Sequence, residues 1–242
     1  MLYLAANWKM NGSKQLLSET VPVWQKQSKQ TSLIVCPPAT LLDYATSHYP
    51  NTAFGAQDCH SQTHGAYTGN LSATLLKEVH ARYALVGHSE RRQYQHETNE
   101  EAYLKAQAAL AHNIIPIVCV GETKDCRDQG NTKKHLEQQL QKFIKNPLKN
   151  ILLAYEPIWA IGTGVAASIQ DIAETHGFLK NLLGKNMALL YGGSVNQENA
   201  HHILKIPSVN GLLVGGASLK VGEFSQIIQT AEEIASVKTS PE

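Results

Sequence analysis

Eight short apolar runs recur along the chain, each followed by a longer stretch in which apolar residues return every three or four positions. The runs are Tyr3 to Trp8, Ser32 to Cys36, Ala53 to Ala56, Tyr83 to Gly87, Ile114 to Val120, Ile151 to Tyr155, Met187 to Tyr191 and Gly211 to Val214. Continuous apolarity, rather than alternation, suits strands buried on both faces of a parallel sheet. The intervening stretches read as helices with one apolar stripe. Two examples are Ile169, Ile172, Ala173, His176, Leu179 and Leu183, and then Phe224, Ile227, Ile228, Ala231, Ile234 and Ala235. Strict strand-helix alternation, repeated eight times in 242 residues, predicts an α/β protein. A closed (β/α)8 barrel fits that count better than an open doubly wound sheet. No linker-like composition divides the chain, so residues 1–242 are expected to form a single barrel domain.

Composition narrows the setting. A net charge of +1, with Lys and Arg scattered, argues against a nucleic-acid or membrane surface, so an anionic ligand has to be held locally. Cys36, Cys59, Cys119 and Cys126 lack C-x-x-C spacing, and Cys36 and Cys119 fall in apolar runs; reduced, structural thiols are expected. The apolar start, Met1 to Ala6, is broken by Asn7-Trp8-Lys9 and is too short for a secretory signal or a membrane span, which points to the cytoplasm.

The chemistry gathers where the runs end, which in such a barrel is the functional face. After Tyr155 comes Glu156, a lone carboxylate, then Pro157-Ile158-Trp159-Ala160-Ile161-Gly162-Thr163-Gly164-Val165-Ala166-Ala167. Pro157 stiffens the chain, Trp159 is a large anchor, and Gly162 and Gly164 permit close approach to a ligand. This is the layout of a general base beneath a closing lid. A strand-ending Glu also serves as a cap or an ion-pair partner, and the segment alone leaves both readings open. Gly162 to Ala167 formally fits a dinucleotide fingerprint, but it does not directly follow its strand, and the next run ends in Gly192-Gly193 instead of an acidic residue. No cofactor is expected.

Other run ends carry Asn7 and Lys9, then His88, Glu90, Arg91 and Arg92, and finally the turns Gly192-Gly193-Ser194 and Gly215-Gly216. Singly, Lys9 reads as a surface lysine, His88 as a core histidine and Glu90 as a partner of Arg91 or Arg92. Together on one face, a cation, an imidazole and a carboxylate form a reaction site. Glycine-rich turns after the last two strands form the phosphate site typical of these barrels, which implies a phosphorylated substrate. Cys59, His60 and His64 raise a metal alternative, but their spacing matches no closed zinc signature, and solvated loop residues are the expected reading.

The motifs Asn7-Trp8-Lys9-Met10-Asn11-Gly12, Val86 to Arg92, Tyr155 to Gly164, Tyr191 to Val195 and Gly211 to Leu219 resemble, in order and over nearly the whole chain, the triosephosphate isomerase family. The resemblance implies a TIM barrel that interconverts dihydroxyacetone phosphate and glyceraldehyde 3-phosphate without a cofactor or metal. It implies Glu156 as the base and His88 as the electrophile, with positive charge from Lys9, Asn7 shaping that corner and Glu90 balancing Lys9. Gly162, Ser194, Gly215 and Gly216 are implied to bind phosphate. A homodimer is implied too, with Tyr67 and Thr68 of the long connection from Gln57 to Leu71 inserting toward the partner's Lys9 and His88. Three segments depart from the family pattern: Asn70 where an acidic residue would face the partner's Arg91, Val165-Ala166-Ala167 at the lid's end, and Gln95-His96 before Glu97. A different phosphosugar isomerase, or a silent phosphosugar-binding protein, remains as an alternative on the same barrel.

Overall fold

The computed structural model describes residues 1–161 and 166–239. Its first half runs β1 (Leu2–Asn7), α1 (Lys14–Gln27), β2 (Thr31–Cys36), α2 (Ala39–His48), β3 (Ala53–Ala56), α3 (Ala73–Glu78), β4 (Tyr83–Val86), α4 (Ser89–Tyr94) and α5 (Asn99–Ala111). The second half runs β5 (Ile115–Val120), α6 (Lys124–Asp128), α7 (Thr132–Lys145), β6 (Leu152–Tyr155), α8 (Ile169–Leu183), β7 (Ala188–Tyr191), α9 (Ala200–Leu204), β8 (Gly211–Val214) and α10 (Val221–Thr239). The strands pair in sequence order, all parallel, and β8 returns to β1 to close the barrel. The expected α/β barrel is therefore the observed one. Among the described residues no helix is long and apolar enough to cross a membrane.

Closure depends on one glycine. At Gly211, paired with Tyr3, a Cβ would lie 2.1 Å from the Tyr3 carbonyl oxygen, so any side chain there would push β8 away from β1. Strand residues alternate between two apolar layers, as the pleat requires. Ala5, Ile34, Leu85, Ile117, Ala154, Leu190 and Leu213 fill the barrel, while Leu4, Ala6, Val35, Val86, Leu153 and Leu212 face the helices. The α10 stripe is buried throughout, from Phe224 to Ala235. In α8, Ile172, His176 and Leu179 are buried, but Ile169 at the helix start is exposed.

Several strand ends differ by a residue from the apolar runs. β4 stops at Val86 because Gly87 turns left-handed at φ 69°, and β5 starts after Asn113, itself left-handed at φ 59°. Trp8 leaves β1 yet still donates its N–H to Cys36 O at 3.1 Å. Each break re-aims the chain at a strand end.

Candidate active site

The first strand delivers two polar residues to the barrel mouth. Asn7 is buried, and its Oδ1 accepts the Lys9 N–H at 3.1 Å, which holds Lys9 in the left-handed region at φ 53°. The Gln57 side chain, at the end of β3, donates to Lys9 O at 2.8 Å and to Cys36 O at 2.9 Å, joining three strand ends. So constrained, the Lys9 ammonium meets Glu90 Oε1 at 2.6 Å, across from β4.

Beyond β4, Gly87 donates its N–H to Glu97 Oε1 at 2.7 Å, and the chain turns so that His88 caps α4. The His88 Nδ1 accepts the Glu90 N–H at 3.2 Å, so the proton of the neutral ring is assigned to Nε2. That nitrogen lies 3.0 Å from Glu156 Oε1 and 3.2 Å from Asn7 Nδ2. Sequence reasoning missed Ser89, whose backbone N–H donates to Glu156 Oε2 at 3.2 Å.

Glu156 follows β6 directly and is almost wholly buried. Its N–H donates to Val120 O at 2.8 Å, and its carbonyl passes so close to Gly121 that a Cβ there would lie 1.7 Å from the oxygen. Gln139 of α7 fixes Gly121 from behind, accepting its N–H at 2.9 Å and donating to its carbonyl at 3.1 Å. The base is thus seated by backbone contacts on both sides. Burial alone would raise the Glu156 pKa, but the adjacent His88, the Ser89 N–H and the Lys9 cation hold it below the ordinary carboxylate value. Burial opposes charge on His88, while the Glu156 carboxylate raises its pKa for as long as the two side chains touch. Cys119 lies beside Glu156 inside the barrel; burial first, and then the carboxylate, push its thiol well above the usual range.

Asn7, Lys9, His88, Glu156, Ser194, Gly215 and Gly216 line one cavity of about 170 Å³, together with Ile161, Gly192, Gly193, Val195 and Leu213. Its far wall is the pair of glycine turns: Gly192 donates to Tyr155 O at 2.8 Å, and Ser194 binds Ala160 O through its N–H at 2.8 Å and its hydroxyl at 2.5 Å. The cavity suits a small anion-bearing molecule, with the Lys9 ammonium beside Gly215 and a carboxylate beside an imidazole in its lining. Of the expected lid, Pro157 to Ile161 and Ala166 to Ala167 are described. Gly162, the expected phosphate ligand, and Thr163, Gly164 and Val165 lie outside the described residues.

The remaining candidates sit elsewhere. Tyr67 and Thr68 occupy the exposed long connection, where the Tyr67 ring lies 4.1 Å from that of His60. Arg91 is engaged within its own chain, by Asp58 Oδ2 at 2.9 Å and Glu97 Oε2 at 2.9 Å, and Lys105 Nζ joins the same two carboxylates. His96 adopts φ 55°, a left-handed position where glycine would be unstrained. Cys59 is buried, its thiol pushed up to about 12, chiefly by burial, and the described His, Cys, Asp and Glu residues form no group of three able to hold a metal. Glu122 also escaped the sequence reading; it lies two residues past the end of β5, whereas Glu156 directly follows β6. Glu122 Oε1 accepts from the Tyr155 hydroxyl at 3.0 Å, Trp159 Nε1 at 3.1 Å and Arg127 Nη1 at 3.2 Å.

Known proteins share this sequence pattern and this barrel. The family model described as Triosephosphate isomerase matches residues 2–231. A triosephosphate isomerase of Ruegeria sp. (strain TM1040) is 42% identical over 234 residues, covering 93% of this chain and 95% of the relative. That of Afipia carboxidovorans is 41% identical over 240 residues, covering 93% and 96%. Among solved structures, the crystal structure of triosephosphate isomerase from Bartonella henselae superposes with a TM-score of 0.87 at 36% identity, covering 96% of this chain and 99% of that one.

Proposed function

The chain belongs to the triosephosphate isomerase family and interconverts dihydroxyacetone phosphate and D-glyceraldehyde 3-phosphate, a step of glycolysis, and from that premise we propose which of its residues carry the reaction. Glu156 is the base, His88 and Lys9 are the electrophiles, and Asn7 and Glu90 hold them in place. Ser194, Gly215 and Gly216, with Gly162, bind the phosphate.

The isomerisation moves a carbonyl between adjacent carbons. A base must take the proton α to the carbonyl and return it to the neighbouring carbon, and one carboxylate over the enediolate plane serves both ends. Glu156 rests with one oxygen near His88 Nε2 and the other on the Ser89 N–H. A substrate oxygen facing Nε2 replaces the first contact and so removes the influence that raises the His88 pKa. The ring then donates as a neutral imidazole, a role favoured by the Glu90 N–H on Nδ1 at the start of α4. Asn7 Nδ2, 3.2 Å from Nε2, is a second donor to that oxygen, and Lys9 supplies charge without drifting because Glu90 holds it. Closure of residues 157–167 over the cavity excludes water and keeps the enediolate from losing its phosphate.

The working unit we propose is a cytoplasmic homodimer. Beside the active cavity lies a second one of about 400 Å³, lined by Lys9, Met10, His88, Tyr94 and Gln95 among others, and Met10 and Tyr94 are largely exposed. The loop tip bearing Tyr67, 45% exposed, is the apolar group suited to cover it in a second copy. The partner subunit's Thr68 then buttresses Lys9 and His88.

The observation that carries the catalytic reading is the contact of Glu156 with His88 in a cavity closed by two glycine turns. Glu156→Gln keeps the shape and removes the base, so kcat is expected to fall by about 10²- to 10⁴-fold with inhibitor binding retained. Near-normal turnover by a folded Glu156→Gln protein, in a coupled assay with glyceraldehyde 3-phosphate, would refute the assignment.

A further inference from the structure

Beyond its last residue, β5 loses one of its two neighbouring strands. Its odd-numbered residues face β4, since Ile115 donates its N–H to Arg82 O at 2.9 Å. Even-numbered ones face β6, since Val120 O accepts the Glu156 N–H at 2.8 Å and Glu122 O accepts the Ile158 N–H at 3.0 Å. Both polar groups of a residue in a parallel ladder point to the same side, and successive residues alternate. Gly121, buried between Val120 and Glu122, therefore turns its N–H and C=O toward the β4 side. In the register that pairs Val86 with Val118, the backbone due there is that of His88. It is engaged elsewhere: Gly87 turns left-handed at φ 69°, and His88 O accepts the N–H groups of Arg91 at 2.9 Å and Arg92 at 3.1 Å as α4 begins. The turn that brings the imidazole to the cavity thus removes the strand partner of Gly121.

A side chain of α7 takes that place. Gln139 is 6% exposed; its Oε1 accepts the Gly121 N–H at 2.9 Å and its Nε2 donates to Gly121 O at 3.1 Å. A primary amide carries an acceptor and a donor side by side, which is what the edge of a peptide requires. Without it, two buried backbone groups are left unmatched, and the Gly121 peptide gains by tilting toward other partners. Glu156 has no slack to absorb such a tilt. A Cβ on Gly121 would lie 1.7 Å from the Glu156 carbonyl oxygen and 2.6 Å from its carbonyl carbon, so the two backbones are in direct contact.

We propose that Gln139 is a positioning residue of the isomerase reaction: its amide, acting through Gly121, holds the Glu156 main chain at the height from which the carboxylate reaches the substrate carbon. The proposal rests on reading Glu156 as the base. Gln139 does not line the active cavity, so its loss leaves the phosphate turns in place and acts on the proton-transfer step. Displacement of a reacting group by about 1 Å costs on the order of 100-fold in rate.

The test compares Gln139→Met, Gln139→Glu, Glu156→Gln and the Gln139→Met/Glu156→Gln double variant with the parent in kcat, KM, Tm and the pH profile of kcat/KM. Gln139→Met fills the space without the amide and is expected to lower kcat by about 10- to 100-fold with KM nearly unchanged. A displaced Glu156 also loosens its contacts with His88 and the Ser89 N–H, while Lys9, Arg92 and Cys119 around it stay as they are, so the acid limb of kcat/KM moves to higher pH. A role confined to stability would lower Tm and leave that limb in place. Gln139→Glu still accepts the Gly121 N–H and should give an intermediate kcat; it carries the same readouts if Gln139→Met does not fold. In the Glu156→Gln background Gln139→Met is expected to cost nothing further, because the amide acts only through the base. Near-normal turnover by folded Glu156→Gln sinks the reading of Glu156 itself. Where Glu156→Gln is crippled, a parental kcat or an unmoved acid limb in a folded Gln139 variant, or the same fold-loss in both backgrounds, overturns the positioning role alone.

Discussion

His176 is a titratable ring buried with half its hydrogen bonding unmet. Its Nδ1 lies 3.4 Å from Ser208 O, Nε2 has no hydrogen-bond partner among the described residues, and the rings of Tyr155 and Tyr191 flank it at 5.8 and 6.3 Å. Burial, with a smaller contribution from Lys180, lowers its pKa to about 4. The unfolded chain therefore takes up this proton at a higher pH than the folded one. The stability at stake is intact above about pH 6.5 and is lost as pH falls toward 4. At pH 5 the loss should be about 2 kcal/mol relative to pH 7. His176→Asn, which keeps a donor for Ser208 O and removes the titration, should flatten that window in urea unfolding. Equal pH 7 to pH 5 losses in parent and variant would show that this ring is not responsible. Residues of this kind were only partly legible. His176 showed up as one position in an apolar stripe, because periodicity reports burial and says nothing of protonation. Glu156 was legible because proline and glycines follow it, whereas Glu122, two residues past β5, is followed by Thr123-Lys124 and an ordinary short helix. The left-handed turn at Lys9 left no mark at all, since lysine has no preference for that region.

Among the elements, α10 shows the same division between the legible and the hidden. Its apolar stripe gave the face that packs on the barrel, and Phe224 meets Trp24 edge-on with centroids 4.7 Å apart. Nothing in the stripe identified Glu232, on the flank of the helix. Its carboxylate accepts the N–H groups of Lys29 at 3.0 Å and Thr31 at 2.9 Å, both oxygens accept that of Gln30, and Oε1 also accepts the Thr31 hydroxyl at 2.7 Å. The turn into β2, far away in sequence, is thus tied to the last helix by one side chain. A periodicity argument cannot find such a contact, because it depends on which loop passes the helix once the barrel has closed. Glu232→Ala leaves those amides to water and should cost about 1 to 3 kcal/mol of stability, with kcat unchanged because the contact is remote from the active cavity. Urea unfolding beside a standard assay checks both halves; a drop in kcat at full folding would mean that the β2 end transmits strain to the site. Strand boundaries were legible to within a residue, and two of the differences fall where Gly87 and Asn113 turn left-handed.

For the whole molecule, the eightfold alternation dictated a closed barrel, which leaves no sheet edge for a partner to extend. The proposed dimer would therefore use loops or helix faces, and among the exposed apolar groups Met10, Tyr67 and Tyr94 lie on loops or at a short helix end. From the sequence, Asn70 looked like a weak point, since an acidic residue there would pair with the partner's Arg91. The fold alters that reasoning. Arg91 already contacts Asp58 and Glu97 in its own chain, and Lys105 supplies a second cation to the same carboxylates. A new acid from a second copy would meet a guanidinium that is already neutralised, and exposed ion pairs contribute about 0 to 1 kcal/mol in any case. Asn70→Asp is therefore expected to leave the dimer dissociation constant within about fivefold of the parent. Tyr67 is different, because its ring is the apolar part of the loop tip. Placing a charge there, as in Tyr67→Asp, strands an unpaired carboxylate in the apolar contact, a penalty of about 1 to 3 kcal/mol per buried polar group on each side of a symmetric interface. Sedimentation at micromolar concentration should find Tyr67→Asp monomeric, with reduced kcat because Lys9 and His88 lose the partner's buttress, and Asn70→Asp dimeric and fully active. A parent that sediments as an active monomer would remove the basis for both expectations, and a tightened Asn70→Asp dimer would show that Arg91 still has charge to offer across the interface.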